Sequence, residues 1–392
     1  MDSVSIDKEL NDYRDDSDEL LDGEYSDSDY EKTNNELTAY DIAVFYNTYN
    51  LSALMKWWGK KLIVPDFQRS YIWNQKQASE FVDSILRGLP VPSMFFYDDT
   101  ENNQLLVIDG QQRLTSLYKY IEEKKFNDKP FKLIGDIHSG WENRDYDNLK
   151  DNDRERLNDT LLNITVMRQL RPNDGQSSMY LAFQRINTGG RSLTPQEIRM
   201  AVSYGPLSKM VSNLAEDPIF NKWPFLRTEA DRKNNNYSRI QELIVRFWVL
   251  LFSDIRPLSG TIRSSLDWFF SNNKDFDMPS RRIMDVKYFS KKELSEAFCT
   301  LYYMKELDEE CFVPDTRPTS IFFESVWIGI ALRVREGKEV STELIKSKIL
   351  KWKETIGDER FSSLFKARRS SSIESINARI SETKQYFLED SI

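Results

Sequence analysis

Histidine and cysteine are nearly absent from this chain of 392 residues. His138 is the only histidine, which excludes metal sites with two histidines, H-E-x-x-H zinc proteases and the histidine-dependent HNH type of nuclease. Cys299 and Cys311 are the only cysteines, too few for a disulfide framework or a cysteine-based zinc site. We expect His138 in a loop, both thiols reduced and in the core, and no DNA cleavage by this chain alone.

Long apolar runs are also missing. No stretch approaches the length of a membrane span, and the N-terminus lacks the basic and apolar regions of a signal peptide, so the expectation is a cytoplasmic protein without a membrane partner. The sequence G-x-x-x-x-G-K-[ST] does not occur, so any bound nucleotide is held by something other than a P-loop.

The net charge of −9 is concentrated at one end of the chain. Residues 1–36 contain fourteen acidic and three basic residues, a balance of −11, so the remainder carries +2. This segment has too little apolar surface to offset its ordering entropy, and we predict a solvated, disordered tail that is dispensable for folding. The alternative is that the tail covers a basic face of the folded body or of a partner.

The first half of the chain alternates between helical and strand patterns. The N-cap signal at Asn74 and the stop at Gly88 predict a helix running to Arg87. Thr194, Pro195 and Glu197 form a capping box with proline at the first helical position. Further helices are predicted within 38–61 and over 177–186, and strands over 93–97, 105–108, 131–134 and 163–167.

Beyond residue 206 the strand pattern fades. Helical periodicity is seen over 240–252, 291–307, 321–336, 342–356 and 371–387. The predicted fold is therefore α+β, a small mixed sheet with helices followed by an all-α domain. The predicted division is an acidic tail at 1–36, a sheet-containing domain at 37–203 and a helical domain at 204–392.

The most informative motif is Asp109-Gly110-Gln111-Gln112-Arg113. It follows the apolar run 105–108 and precedes apolar residues at helical spacing, a strand, turn and helix in which backbone N–H groups at the helix start can face an anion. Arg113, one turn into the helix, can add a charge-assisted bond to the same phosphate. The alternative is an ordinary capping box, with Asp109 as N-cap and Gln112 at the third helical position.

Three other segments accompany this motif. Residues 64–73 read Val-Pro-Asp-Phe-Gln-Arg-Ser-Tyr-Ile-Trp, residues 183–190 read Phe-Gln-Arg-Ile-Asn-Thr-Gly-Gly, and residues 193–198 read Leu-Thr-Pro-Gln-Glu-Ile. In this order the motifs resemble the domain-of-unknown-function family 262, the DGQQR proteins of ParB/sulfiredoxin-like fold. The resemblance covers about residues 51–202.

The resemblance implies a nucleoside-triphosphate hydrolysing module of bacterial phage-defence and modification-dependent restriction systems, using an NTP with Mg²⁺. The catalytic residues it implies are Asp109, Gln111, Gln112 and Arg113, with Asp109 as the Mg²⁺ ligand, directly or through water. The nucleotide-binding residues it implies are Gln68, Arg69, Gly110, Arg113, Asn187, Gly189 and Gly190. On residue type alone, Arg69 could instead stack on a neighbouring aromatic ring, and 187–190 could be only a helix end and turn.

Clusters of basic residues in the second half are candidates for DNA binding. The residues concerned are Arg232, Lys233, Arg239, Arg281 and Arg282. Each cluster could equally be a solvated surface. Dispersed acids at Glu80, Asp83, Glu122 and Glu123 fit solvated helix faces better than a nuclease site.

Three functions remain open at this point. The first is a nucleotide triphosphatase that couples NTP hydrolysis to recognition of foreign or modified DNA, together with an effector nuclease or another defence-system subunit. The second is a non-catalytic module of the same fold that binds DNA or protein. The third is a ParB-like nuclease, which is weaker because no convincing metal cluster is visible. A homo-oligomer is compatible with each of them.

Overall fold

The computed structural model describes residues 42–65, 71–100, 102–170, 182, 194–233, 236–252, 262–273, 281–283, 286–314, 318–356, 361, 364–365 and 373–389. The described chain forms two compact units. The first, here called the mixed unit, ends at Val202 but also includes Asn236, and the second, the helical unit, begins at Ser203. The predicted acidic tail and the predicted helix over 177–186 lie outside the described residues, Ala182 excepted.

The mixed unit is built around a five-stranded sheet. Its strands are β1 Ile42–Asn50, β2 Leu62–Ile63, β3 Met94–Asp99, β4 Gln104–Asp109 and β7 Leu161–Gln169, and β5 Lys125–Phe126 with β6 Lys129–Pro130 forms a separate hairpin. The strand order is β1-β7-β3-β4-β2. β1 pairs antiparallel with β7, β3 antiparallel with β4, and the pairs β3–β7 and β2–β4 are parallel.

Helices pack against this sheet and supply much of its core. They are α1 Leu51–Trp57, α2 Gln75–Leu86, α3 Gln111–Tyr118 and α4 Asp151–Asp159, with a π-helical turn at Lys119–Glu123 and a 3₁₀ turn at Tyr146–Asn148. A further helix of the unit is α5 Pro195–Val202. Leu114 and Leu117 of α3 pack with Phe96 and Val107 of the sheet in one hydrophobic cluster. Burying these apolar side chains favours folding because it removes their surface from water.

The predicted helix starts are confirmed by their hydrogen bonds. Asn74 and Gln77 form a reciprocal capping box at the start of α2. Thr194 and Glu197 do the same for α5, with Pro195 at its first position. Such caps satisfy backbone N–H groups that have no partner within the helix. The strands predicted over 93–97, 105–108 and 163–167 are present as β3, β4 and β7.

Two predicted elements are wrong, one in part and one entirely. Within the segment 38–61 predicted as one or two helices, Ile42–Asn50 is the edge strand β1, whereas Leu51–Trp57 is helical as predicted. The strand predicted over 131–134 is absent: the backbone N–H groups of Phe131 and Leu133 donate to Lys124 and Arg144, and both side chains are buried in the core. An apolar pattern therefore reported burial correctly, but not the backbone conformation.

The helical unit matches most of the predicted helices. Its helices are α6 Pro206–Ala215, α7 Glu229–Lys233, α8 Ser238–Leu251, α9 Ile262–Asn273, α10 Lys291–Cys299, α11 Ser320–Arg335, α12 Thr342–Ile356 and α13 Ile373–Leu388. Short 3₁₀ turns lie at Pro218–Lys222, Pro224–Leu226, Thr300–Met304 and Glu309–Phe312. A two-stranded hairpin of β8 Arg281–Ile283 and β9 Val286–Tyr288 was not predicted.

α11 is the central helix of this unit, with every residue from Ile321 to Arg333 buried. Trp327 stacks on Phe247 of α8 with ring centroids 3.8 Å apart. Glu324, 1% exposed, accepts a hydrogen bond from Arg246 Nε at 3.0 Å and lies 3.8 Å from Arg379 Nη2. An unpaired buried charge is costly. In this cluster each charged side chain has an oppositely charged neighbour, and the cluster thereby connects α8, α11 and α13.

Two residue-level expectations are also corrected. Cys299 is exposed and Cys311 is half-buried, so they are not two core thiols; both are free. Asp83 is buried rather than solvated, because its carboxylate accepts hydrogen bonds from Arg87 Nε at 2.6 Å and from the His138 N–H at 2.8 Å. Among the described residues no helix is long and apolar enough to cross a membrane.

Candidate functional site

The DGQQR motif forms the predicted strand, turn and helix. β4 ends at Asp109, Gly110 is the N-cap with φ +99°, and α3 begins at Gln111. A Cβ atom on Gly110 would lie 2.6 Å from Met94 Cγ, closer than carbon atoms can pack. Glycine is therefore required here both by the backbone conformation and by the neighbouring side chain. The alternative capping box is wrong, since Asp109 is not the N-cap and no side chain caps this helix.

The first side-chain pair at this turn joins Asp109 to Arg113. Arg113 Nη2 donates to Asp109 Oδ2 at 2.6 Å, and Arg113 Nη1 donates to the Pro92 carbonyl at 2.6 Å. The Asp109 side chain is 42% exposed, whereas that of Arg113 is 15% exposed. Both terminal nitrogens of the guanidinium group are thus engaged with the protein, and the carboxylate is held at the surface by a charge-assisted bond.

Gln112 faces a different part of the protein. Its Oε1 accepts hydrogen bonds from the backbone N–H groups of Ile72, at 3.0 Å, and Trp73, at 3.2 Å. The carbonyl oxygen of a glutamine has two acceptor sites, and these two bonds use both. The geometry therefore gives Gln112 a positioning role: it fastens the segment that follows Gln68 and Arg69 in the sequence to α3.

Ser116, one turn further along α3, strengthens the same attachment. Its hydroxyl donates to the Gln112 carbonyl at 2.7 Å and lies 2.7 Å from the hydroxyl of Tyr71. Lys119 Nζ lies 5.5 Å from the centre of the Tyr71 ring. Burial raises the pKa of Tyr71, and the bond to Ser116 lowers it by a smaller amount. One face of α3 therefore contacts three consecutive residues, Tyr71 to Trp73.

The other predicted site residues are located as follows. Gln111, the first residue of α3, is half-buried and makes contacts of its own. Gln68, Arg69, Asn187, Gly189 and Gly190 lie outside the described residues. In the part of the chain that the structure describes, no group of three or more potential metal ligands occurs.

The basic residues predicted to bind DNA lie in the helical unit. Arg232 is exposed but donates to the carbonyls of Pro224 and Arg227, both at 2.7 Å. Arg239 Nε pairs with Asp231 at 2.9 Å and is 15% exposed. Lys233 is exposed, and Arg281 and Arg282 lie on β8. Arg232 and Arg239 thus have structural partners, which lowers their availability for phosphate groups.

Sequence reasoning missed Met94 and Ser116. Met94 is fully buried 16 residues before Gly110, and no local pattern relates the two positions. Ser116 carried a weak signal, since it lies four residues after Gln112 and therefore on the same face of the helix. Small polar residues at such spacing also occur on ordinary helix surfaces, and the partner at Tyr71 is 45 residues away.

Comparison with known proteins supports a restriction-related domain. Residues 51–203 match a family model described as the N-terminal domain of the GmrSD restriction endonuclease. This fits the expected restriction or phage-defence domain. An uncharacterised protein of Methanocaldococcus jannaschii is 27% identical over a region covering 24% of this chain and 21% of that protein, so the match spans about a fifth of that relative. No solved structure matches the chain.

Proposed function

We propose that the mixed unit is a nucleotide triphosphatase module of a bacterial restriction or anti-phage system. In this function NTP binding and hydrolysis are coupled to recognition of foreign or modified DNA, and a partner effector carries out the attack on that DNA. The match of residues 51–203 to a restriction endonuclease domain supports the restriction setting. The arrangement of the DGQQR turn supports the nucleotide chemistry.

The proposal rests on the hydrogen bonding and the exposure of the Asp109 carboxylate. One carboxylate oxygen is held by Arg113, and the other has no hydrogen-bond partner among the described residues. The side chain is 42% exposed. The carboxylate stands directly before the first turn of α3, where backbone N–H groups favour an anion. A phosphate beside a carboxylate requires a cation between them, so Mg²⁺ would be held by Asp109 and the phosphate oxygens.

The remaining residues of the motif would then have separate roles. Gly110 lets the backbone turn next to the phosphate without a side chain in the way. Arg113 fixes Asp109 and supplies positive charge where negative charge develops during phosphoryl transfer. Gln112 does not contact the reacting groups but holds Ile72 and Trp73, and Arg69 is only three residues ahead of Ile72 in the sequence. Gln68, Arg69, Asn187, Gly189 and Gly190 are proposed to complete the nucleotide site.

A non-catalytic binding module is the second candidate, and one observation favours it. Arg113 and Gln112, two of the four side chains that the family resemblance implied to be catalytic, are already bonded to the protein itself. If these bonds persist with nucleotide present, the motif would have a structural role, and the surface of the unit would bind DNA or another protein. Nucleotide turnover distinguishes the two candidates.

The test is phosphate release from each of the four NTPs, with Mg²⁺ and with or without DNA. The proposal expects hydrolysis of at least one NTP, abolished by chelation of Mg²⁺ and altered by DNA. NTP binding without turnover would favour the non-catalytic module, and neither binding nor turnover would overturn the proposed function. Cleavage of plasmid DNA by the purified chain, measured in parallel, would instead support the ParB-like nuclease.

A further inference from the structure

The strand β1 is an edge strand of the five-stranded sheet, and β7 pairs with it on one side. It contacts β7 along all nine residues, from Ile42 opposite Gln169 to Asn50 opposite Leu161, with no shift of register. On its other side no strand pairs with it within the described ranges. Such an edge carries backbone N–H and C=O groups that can pair with a further strand.

Within the part of the chain that the structure describes, this edge lacks the usual protection against pairing. Proteins block exposed edges with charged residues, proline, bulges or very short strands. The segment Ile42–Asn50 contains no Asp, Glu, Lys, Arg or Pro, and it is longer than β3 and β4, which have six residues each. β2, at the opposite edge, has only two residues and is too short to act as a template.

The middle of the edge is apolar and open to solvent on both faces of the sheet. Val44 is 45% exposed, Phe45 41% and Tyr46 84%. Successive side chains of a strand point to opposite faces, so the three residues present apolar surface above and below the sheet at its rim. A strand placed alongside β1 would cover this surface and satisfy the backbone groups at once.

We propose that this partner is a second copy of the same chain, whose β1 pairs antiparallel with β1 about a two-fold axis at Tyr46. Tyr46 is the central residue of the nine, so this register uses the whole strand. It places the two Tyr46 side chains opposite each other and Val44 opposite Thr48 of the other copy, aromatic and β-branched pairs that stabilise sheets. Two-fold pairing brings equivalent positions together, and here no charge meets its own copy because the strand has none.

The result would be a ten-stranded sheet running through both copies. A strand from a different protein would need its own complementary register, whereas the self-paired register follows from the length and composition of β1 alone. The inference does not depend on nucleotide chemistry, so it can fail while the proposed function holds, and the reverse is also true.

The first experiment measures the mass of the full chain in solution. Light scattering after size exclusion should give twice the monomer mass of 46.3 kDa. Tyr46→Lys places two ammonium groups opposite each other and should weaken dimerisation at least tenfold. Leu350→Lys, at a leucine 59% exposed on α12, is the matched control and should leave the dimer intact. Circular dichroism should show both variants folded.

The second experiment tests the register by cross-linking, in a chain with Cys299→Ser and Cys311→Ser. Tyr46→Cys should form a disulfide-linked dimer on mild oxidation, because the two Cα atoms would lie within the roughly 7 Å that a disulfide spans. Ile42→Cys should not, because its two copies would be about 27 Å apart. A monomeric wild-type chain, a dimer unaffected by Tyr46→Lys, or equal cross-linking at both positions would overturn the proposal.

Discussion

Arg113 Nη2 donates a hydrogen bond to Asp109 Oδ2 at 2.6 Å, across one turn at the start of α3. The pair connects the last residue of β4 to the helix that follows it, and the second terminal nitrogen of Arg113 bonds the Pro92 carbonyl just before β3. The exposed carboxylate is therefore fixed relative to the end of β4 and to the residues that precede β3. In water an exposed carboxylate rotates freely, whereas here its direction is set before any ligand binds.

Asp109→Asn should separate catalysis from binding. The amide keeps the size of the side chain but loses the charge that would hold Mg²⁺, so turnover should fall about 10²–10³-fold while the fold is retained. Steady-state phosphate release and calorimetric NTP titration measure the two effects. Asp98→Asn is the control, since Asp98 also pairs with an arginine, accepting from Arg168 Nε at 2.9 Å, but lies outside the turn. Wild-type turnover in a folded Asp109→Asn chain would remove Asp109 from the mechanism.

Gln112 should matter for local order rather than for orienting water. Gln112→Ala removes the acceptor of two backbone N–H groups and should cost about 1–2 kcal/mol of stability. Hydrogen exchange at the amides of Ile72 and Trp73 should become faster. Gln112→Glu retains an acceptor and should preserve the protection.

Gln111→Ala is the matched control for that experiment, because it removes the neighbouring glutamine of the same helix without touching either acceptor bond. It should leave exchange at residues 72 and 73 unchanged. If Gln112→Ala instead abolished turnover with these amides still protected, Gln112 would be a catalytic residue and the positioning role would be wrong.

Gly110→Ala should be much more costly than Gly88→Ala. Both glycines have positive φ, +99° and +70°, so each alanine pays about 1–2 kcal/mol for a left-handed backbone. Only at Gly110 does the new Cβ collide, with Met94 Cγ at 2.6 Å, whereas nothing lies within 4 Å at Gly88. Overpacking should add about 1–3 kcal/mol. Chemical denaturation gives both values, and equal losses would show that Met94 moves aside freely.

Tyr302 in the helical unit should titrate abnormally. Its hydroxyl donates to Asp217 Oδ2 at 2.6 Å, and this bond, with a smaller effect of burial, raises its pKa from 10.0 to about 12. Because the pKa is higher in the folded state than in the unfolded state, protonated Tyr302 contributes to the stability of the fold. This contribution is complete below pH 10 and is lost as the pH rises from 10 towards 12.

The difference in near-ultraviolet absorbance between the wild type and Tyr302→Phe isolates this one tyrosine. Its titration midpoint should lie near pH 12, and Asp217→Asn should move it towards 10. Asparagine can still cap the 3₁₀ turn at Pro218–Lys222, where Asp217 accepts the Ile219 N–H, so the variant tests the charge rather than the turn. A midpoint near 10 in the wild type would contradict the prediction.

The sequence by itself determined the elements whose signals lie within a few residues of one another. The capping boxes at Asn74/Gln77 and Thr194/Glu197 are made by side chains three residues apart, and the helix starts follow from them. The DGQQR turn was predictable for the same reason, since an apolar strand, a glycine and a helical pattern follow each other directly. Periodicity also identified α11 and α12 almost to the residue.

Only the tertiary structure decided what depends on distant partners. Ile42–Asn50 has apolar residues that fit a helix or a strand, and it is a strand because β7, more than a hundred residues later, supplies its hydrogen bonds. The roles of Gln112, Ser116 and Arg113 were equally hidden, because their partners Trp73, Tyr71 and Pro92 lie 39, 45 and 21 residues away. Local composition sets which side chains can bond, but folding selects the partner, since each hydrogen bond is made with whichever group the packed core brings within reach.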